Sequence, residues 1–271
     1  MWQSKDGTKL FEKVWSPKGE IKAALCLVHG MGEHCERYAH VADFLNQNGV
    51  AVVTFDHRGH GKSEGKRGHS PNYDTLLDDV GMALDKTTEL FPNVPTFLFG
   101  HSMGGNVVLN YALRRKPNVK GIIASAPWLR LAFAPSKIDL TLAKLMINIY
   151  PSFTQSTKLD ATAISRDAKE VEKYVKDTLV HDLISPAFFL GAFDAGNYAL
   201  EHASEMAYSL LIYHGTKDRL TSYEGSKEFA SKVNPQLVTW RSWEGLFHEM
   251  HNEPEKAEVM QMLLEWIKER C

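Results

Sequence analysis

Thr96-Phe97-Leu98-Phe99-Gly100-His101-Ser102-Met103-Gly104-Gly105 decides how this chain is read. A short apolar run, Thr96–Phe99, has strand character. It leads into Gly-x-Ser-x-Gly, and Met103–Arg115 follows as a helix. A sharp strand-to-helix turn around a serine holds that serine in strained backbone geometry and exposes its hydroxyl. Neighbouring Cβ atoms would clash in such a turn, which accounts for Gly100 and Gly104. The N–H of Met103, at the start of the helix, then faces an incoming oxyanion. A glycine-rich turn with an incidental serine is the plainer reading, and the flanking strand and helix weigh against it.

Working outward, short apolar runs alternate with amphipathic stretches. Thr8–Trp15 reads as a strand, Ala23–His29 and Val50–Phe55 as buried strands, and Lys120–Ala124 as another. Arg37–Asn48 and Tyr73–Phe91 read as helices, the first closed by Gly49. Strands alternating with helices predict an α/β fold, a mostly parallel central sheet flanked by helices. The alternation stops after Ala126-Pro127. Residues 128–192 hold no convincing buried parallel strand and read as helices over Asp139–Ile149 and Lys169–Thr178. It resumes with strand Ser209–His214, helix Ser222–Val233, strand Leu237–Trp243 and helix Pro254–Arg270. The expected organisation is therefore a core of residues 1–127 and 193–271, with a helical cap inserted at 128–192. Inserts at the carboxyl ends of parallel strands lie near the ligand crevice.

A nucleophilic serine needs a base, and the base needs an acid to orient it. The order expected on this architecture is serine, acid, histidine. Asp218 stands just past strand Ser209–His214, and His248 follows strand Leu237–Trp243. Each of Ser102, Asp218 and His248 thus leaves a separate strand at one edge of the sheet. Glu224, inside the following helix, and His251, one turn beyond His248, compete for the same roles. A second oxyanion donor is expected from the loop after an early strand. His29-Gly30-Met31-Gly32-Glu33-His34 supplies it, with the Met31 N–H free to approach between two glycines. His29 and Glu33 are expected to brace this loop, with His101 beside the serine in a similar supporting place.

Asp56-His57-Arg58-Gly59-His60-Gly61 matches neither phosphate-loop pattern, and two histidines three apart are weak evidence for a metal, so a structural loop is expected and no metal site. Cys26, Cys35 and Cys271 have no Cys-x-x-Cys spacing and suggest neither disulfides nor zinc. Cys26 reads as a small core residue; Cys35, next to the glycine loop, reads as core or pocket lining. The 271 residues carry 31 Lys+Arg, 33 Asp+Glu and a net charge of −2, which gives no support for a nucleic-acid partner. A hydrophobic share of 44% and 28 aromatic residues exclude a disordered chain. No apolar run approaches a membrane span, and the polar first residues do not read as a signal peptide. A cytoplasmic protein, in peripheral membrane contact at most, is expected.

HGMGEH at 29–34 with Arg37-Tyr38, DHRGHGKSEG at 56–65, GHSMGG at 100–105, HGTKDRL at 214–220 and EGLFHEMHNE at 244–253 together resemble the α/β-hydrolase superfamily, specifically its monoacylglycerol lipase branch. The resemblance covers nearly the whole chain; the cap matches in length and helical character alone. It implies an α/β-hydrolase fold with Ser102 as nucleophile, Asp218 as acid, His248 as base and the Met31 and Met103 amides as oxyanion hole. The family usually has a small residue where Met31 sits, so this side chain would reshape the pocket while its N–H serves unchanged. The implied activity is hydrolysis of monoacylglycerols through an acyl-enzyme, with no cofactor. Leu142, Met146, Ile149 and Phe189 belong to apolar cap stretches that would line an acyl tunnel, touch a membrane surface or pack the cap onto the core. The alternatives are a carboxylesterase for short acyl or aryl esters, a lysophospholipase, an aminopeptidase or amidase drawing on Asp160, Asp167, Glu170 and Glu172, and a catalytically silent binding module. Oligomeric state is not readable.

Overall fold

The structure is a computed structural model that describes residues 1–134 and 137–271, without the side chains of 137–139. Pro135 and Ser136, within the expected cap, lie outside the described residues. In chain order the elements are β1 (Trp2–Gln3), β2 (Lys9–Leu10), β3 (Glu12–Trp15), β4 (Ala23–Val28), α1 (Ala39–Asn46), β5 (Val50–Phe55), α2 (Tyr73–Leu90), β6 (Thr96–His101), α3 (Met103–Arg115) and β7 (Gly121–Ser125). There follow α4 (Lys137–Ile149), β8 (Gln155–Ser156), α5 (Ala168–Lys176), β9 (Leu183–Ile184), α6 (Pro186–Glu201), β10 (Leu210–Gly215), α7 (Tyr223–Lys232), β11 (Val238–Trp243) and α8 (Lys256–Lys268).

Seven strands form the central sheet in the order β11-β10-β7-β6-β4-β5-β3. All neighbours run parallel except β3, which pairs antiparallel with β5 at one edge. The five inner strands are buried at every position, as their unbroken apolar runs require, whereas β3 and β11 are half-covered edges. Core residues from α2, α3, α6 and α7 pack on one face, and those from α1 and α8 on the other. The chain leaves β4 toward β5 on one side and returns to β6 on the other. The loops after β4 and β6 therefore flank the point where the strand order reverses, the place where open α/β sheets bind ligands.

Three local departures from the sequence reading have identifiable causes. The strand expected over Thr8–Trp15 is split at Phe11, whose N–H donates to Ser63 Oγ (2.8 Å) and whose carbonyl accepts from Asp56 N (2.9 Å). The helix expected from Arg37 opens with a 3-10 turn, Cys35–Tyr38, before α1. Helix α6 was not anticipated, and it spans the expected cap boundary at 192/193. Its start carries a legible signal: Ser185 Oγ accepts from Phe188 N (3.3 Å) and Pro186 takes the first helical position. Helix α6 packs on both α3 and α4, so it joins the insertion to the core. Among the described residues no helix is long and apolar enough to cross a membrane.

Candidate active site

Ser102 sits between β6 and α3 with φ 54° and ψ −116°, a left-handed conformation that a serine adopts only under constraint. Its backbone is held on three sides. Ser102 N donates to Ser125 O (2.9 Å), and its carbonyl accepts from Asn106 N (3.0 Å) and Trp128 N (2.8 Å). The two glycines of the motif are required by close approach: a Cβ on Gly100 would lie 2.2 Å from Gly104 O, and one on Gly104 would lie 2.2 Å from Val28 O. Ser102 is 9% exposed, among residues otherwise enclosed around it.

The loop after β4 lies directly beside it. A Cβ on Gly30 would come within 3.2 Å of Ser102 Cβ and 2.8 Å of Glu33 Oε1. Glu33 braces this loop by accepting from Gly30 N (2.7 Å), Tyr38 Oη (2.7 Å) and Arg37 Nη1 (2.6 Å). Arg37 continues as a two-pronged pair to Glu249 (2.7 Å on each prong), so one guanidinium ties this loop to the residue after His248. Burial opposes the charge on Glu249, yet Arg37 holds its carboxyl down at about 2. His29 donates from Nδ1 to Gly30 O (2.7 Å) and accepts at Nε2 from His57 N (2.9 Å), linking the loop to the 56–65 turn. The N–H groups of Met31 and Met103 donate to no other group among the described residues. Met103 opens α3, where the helix dipole favours negative charge.

His248 and Asp218 come together as expected. His248 Nδ1 donates to Asp218 Oδ2 at 2.6 Å, which leaves Nε2 as the basic nitrogen. Burial pushes the His248 imidazole down, but the charge and hydrogen bond of Asp218 outweigh it and leave the net shift upward. Burial likewise opposes the Asp218 charge, and His248 and His214 beside it hold its carboxyl well below the usual carboxylate range. Asp218 is fixed at both oxygens. Oδ1 accepts from Leu220 N (2.7 Å) and Thr221 N (3.0 Å), and Oδ2 also meets His214 Nε2 (2.9 Å) and Thr221 Oγ1 (2.9 Å). His248 bonds through Nδ1, to Asp218 and Thr221, while Ser102 Oγ joins no hydrogen bond among the described residues. A serine–imidazole bond between them would be of the kind that often tightens only when substrate binds.

The competing residues fall elsewhere. Glu224 is exposed on α7. His251 is buried behind the site, stacked on Tyr38 (4.8 Å between ring centroids), and burial drives its imidazole down to about 3. His101 lies between the rings of His248 (4.7 Å) and His251 (4.9 Å), kept neutral by burial first and then by those two neighbours. In the 56–65 turn Asp56 accepts from Cys35 N and Lys62 N, both at 2.8 Å, a structural arrangement. Among the described residues no three His, Cys, Asp or Glu side chains gather as a metal site requires. Burial raises the thiols of Cys26, to about 12, and Cys35, so neither is poised as a thiolate.

The four cap side chains, read from sequence as lining an acyl tunnel, touching a membrane surface or packing the cap, fall in different surroundings. Phe189 is half-buried against the core beside Trp128, and Met146 is half-buried on α4. Leu142 (52%) and Ile149 (67%) are exposed on the outside of α4 rather than enclosed. The sequence reading missed Thr221, His214 and Glu249, and had no role for Arg37. No local pattern signalled these contacts: Glu33 lies in the loop before the 3-10 turn that carries Arg37, so even their four-residue spacing is not a helical one.

This sheet, with an elbow serine after β6 and an acid–imidazole pair after β10 and β11, defines an α/β-hydrolase. The family described as "Serine aminopeptidase, S33" matches residues 19–255, and the chain belongs to it, within a branch similar to monoacylglycerol lipases. It is 32% identical over 262 residues to the monoacylglycerol lipase of Mycolicibacterium smegmatis, covering 96% of this chain and 93% of that protein. An uncharacterized abhydrolase domain-containing protein of Dictyostelium discoideum is 37% identical over 268 residues, but the chain spans only 28% of its length. The crystal structure of Paleococcus ferrophilus monoacylglycerol lipase superposes with TM-score 0.89 at 31% identity, covering 97% of this chain and all of that one.

Proposed function

We propose that the protein is a serine ester hydrolase that cleaves monoacylglycerols to fatty acid and glycerol, with Ser102 as nucleophile, His248 as general base and Asp218 as its orienting acid. The observation that carries the chemistry is the 2.6 Å bond between His248 Nδ1 and Asp218 Oδ2, on loops that share one sheet edge with the strained Ser102 elbow. His248 Nε2 takes the Ser102 proton as Oγ attacks the ester carbonyl. The oxyanion rests on the Met31 and Met103 amides, either of which is worth about 2.7–4 kcal/mol of barrier. His248, now positive against Asp218, protonates the leaving glycerol. Water then repeats the sequence on the acyl-enzyme.

The names of the relatives support the substrate class, and the cap supports its lipid character. Leu142, Leu145 and Ile149 on α4 and Tyr150 just past its end are each at least half exposed, an apolar surface of the 128–192 insertion suited to an acyl chain or to a lipid interface. That surface supports peripheral contact with the lipid that holds the substrate. The cap carboxylates that an aminopeptidase would need are already engaged. Asp160 and Asp167 cap helical turns, and Glu170 and Glu172 pair with lysines.

The test is hydrolysis of p-nitrophenyl acetate to palmitate, 1- and 2-monooleoylglycerol, diolein and triolein by the wild type and Ser102→Ala. Turnover that depends on Ser102 and is strongest on the monoacylglycerols is expected. Turnover confined to short esters would make the protein a general carboxylesterase, and none on any ester would send the search to amides.

A further inference from the structure

His214 is a second imidazole on the same carboxylate, opposite His248. It is the penultimate residue of β10, its side chain is fully buried, and it stands four positions before Asp218. Asp218 as a carboxylate only accepts hydrogen bonds, so His214 Nε2 carries a proton and donates it to Oδ2 at 2.9 Å. Its Nδ1 then accepts from Ser226 Oγ on α7, at 2.8 Å. The chain of donors runs Ser226 to His214 to Asp218, and it meets the His248 donor at a single oxygen. Thr221 Oγ1 lies within 2.9 Å of that oxygen as well. Oδ1 does not need these contacts for its orientation, because two backbone N–H groups hold it.

We propose that His214 is a positioning residue of the reaction, which acts through Asp218 by sharing Oδ2 with His248 and so sets how strongly that oxygen holds the His248 imidazolium. This rests on the triad reading above. A hydrogen bond into a carboxylate draws charge from it, and the carboxylate then stabilises a neighbouring cation less. His214 therefore keeps His248 less basic than a carboxylate with one imidazole would, which eases return of the proton to the leaving alcohol. The groups that face His214 are few. They are Asp218 and Thr221 from the loop after β10, Ser226 and the edge of Tyr223 (6.0 Å between ring centroids) from α7, and Ser242 beside it on β11. None of these carries a charge except Asp218. His248 is faced by Asp218, Thr221, the ring of His101, and the charges of Glu249 and Glu33, which Arg37 pairs.

The experiment is the pH profile of kcat/KM on a water-soluble ester for the wild type, His214→Leu and His214→Gln. Leucine removes the donor; glutamine places an amide N–H near the position of Nε2. With leucine the acid limb is expected to move to higher pH by about half a unit to one unit, as loss of one hydrogen bond to a carboxylate implies. With glutamine it returns to the wild-type position. A residue that merely fills space would lower the rate at all pH values alike and leave the limb in place. An unmoved limb with leucine, or an equal shift with glutamine, overturns the proposal. Should the leucine variant not fold, Ser226→Ala removes the bond that polarises His214, and a smaller rise in the same direction is expected; no rise overturns it. Imidazole NMR titration of His248 in Ser102→Ala reads the same shift without turnover, so failure of this proposal stays distinct from failure of the hydrolase reading.

Discussion

The two halves of the inserted segment do opposite things. Residues 160–185 are stitched to both loops of the site. His181 N donates to Gly32 O (2.8 Å), His34 Nε2 meets Asp177 Oδ2 (2.8 Å), and Glu249 N, next to His248, donates to Ile164 O (2.7 Å). Gly32 has φ +75°, and a Cβ there would lie 2.3 Å from His181 O, so the fit leaves no room for another residue. The half that contains α4 turns a row of apolar side chains outward. The first half braces the loops of the site through short polar contacts, and the second exposes the apolar area that the proposed function assigns to a lipid. On the proposed reading, bracing of the catalytic loops and choice of substrate therefore fall to separable parts of one insertion, while the reacting side chains stay in the core.

That separation can be broken at either side. The largest effect is expected from Asp218→Asn, where the amide donates and traps His248 in the wrong tautomer. By analogy with other serine triads, kcat should fall about 10⁴-fold on every ester whatever its chain length. A loss confined to long-chain substrates in steady-state assays would contradict this role. Next comes Arg37→Met, which leaves Glu33 and Glu249 buried without their cation. Removing one member of a buried pair costs about 3–5 kcal/mol, to be read from urea unfolding.

Acid should also weaken the fold. His57, His60 and His101 are held well below the ordinary imidazole value by burial, and His251 at about 3. Below about pH 6.5 the unfolded chain binds protons that the folded chain refuses, so their contribution, complete above that pH, declines as pH falls, by up to about 1.4 kcal/mol per unit for each histidine. His248, with its value raised, has the opposite sign and is outnumbered. A Tm that stays flat from pH 7 to 5 in calorimetry would contradict the burial. The smallest effect is expected from Leu142→Ser with Ile149→Ser. It should lower activity on dispersed monooleoylglycerol about tenfold, the equivalent of about two methylenes of apolar contact, and spare p-nitrophenyl butyrate. Equal losses on both esters would dissolve the division between the halves.

The sheet, the elbow and the Asp218–His248 pair were legible because each depends on a strand followed at once by its functional residue. Partnerships between distant segments were not: Arg37 and Glu249 lie 212 positions apart, and Thr221 and His248 lie 27 apart. Helix α6 escaped because Ala187-Phe188-Phe189-Leu190 is apolar without a helical period, as befits a helix that packs on α3 and α4 at once. The same ambiguity grouped Phe189 with Leu142 and Ile149, as tunnel lining, lipid contact or cap packing alike. Hydrophobicity alone does not distinguish a side chain held against the core from one turned outward.

The most direct test of the account is to treat the protein with a long-chain alkyl fluorophosphonate and locate the adduct by intact and peptide mass spectrometry. One adduct is expected, on the peptide containing Ser102, absent in Ser102→Ala and slow to form in Asp218→Asn. No adduct, or an adduct on another residue at the wild-type rate, would contradict the assignment of Ser102, His248 and Asp218 as the hydrolytic centre.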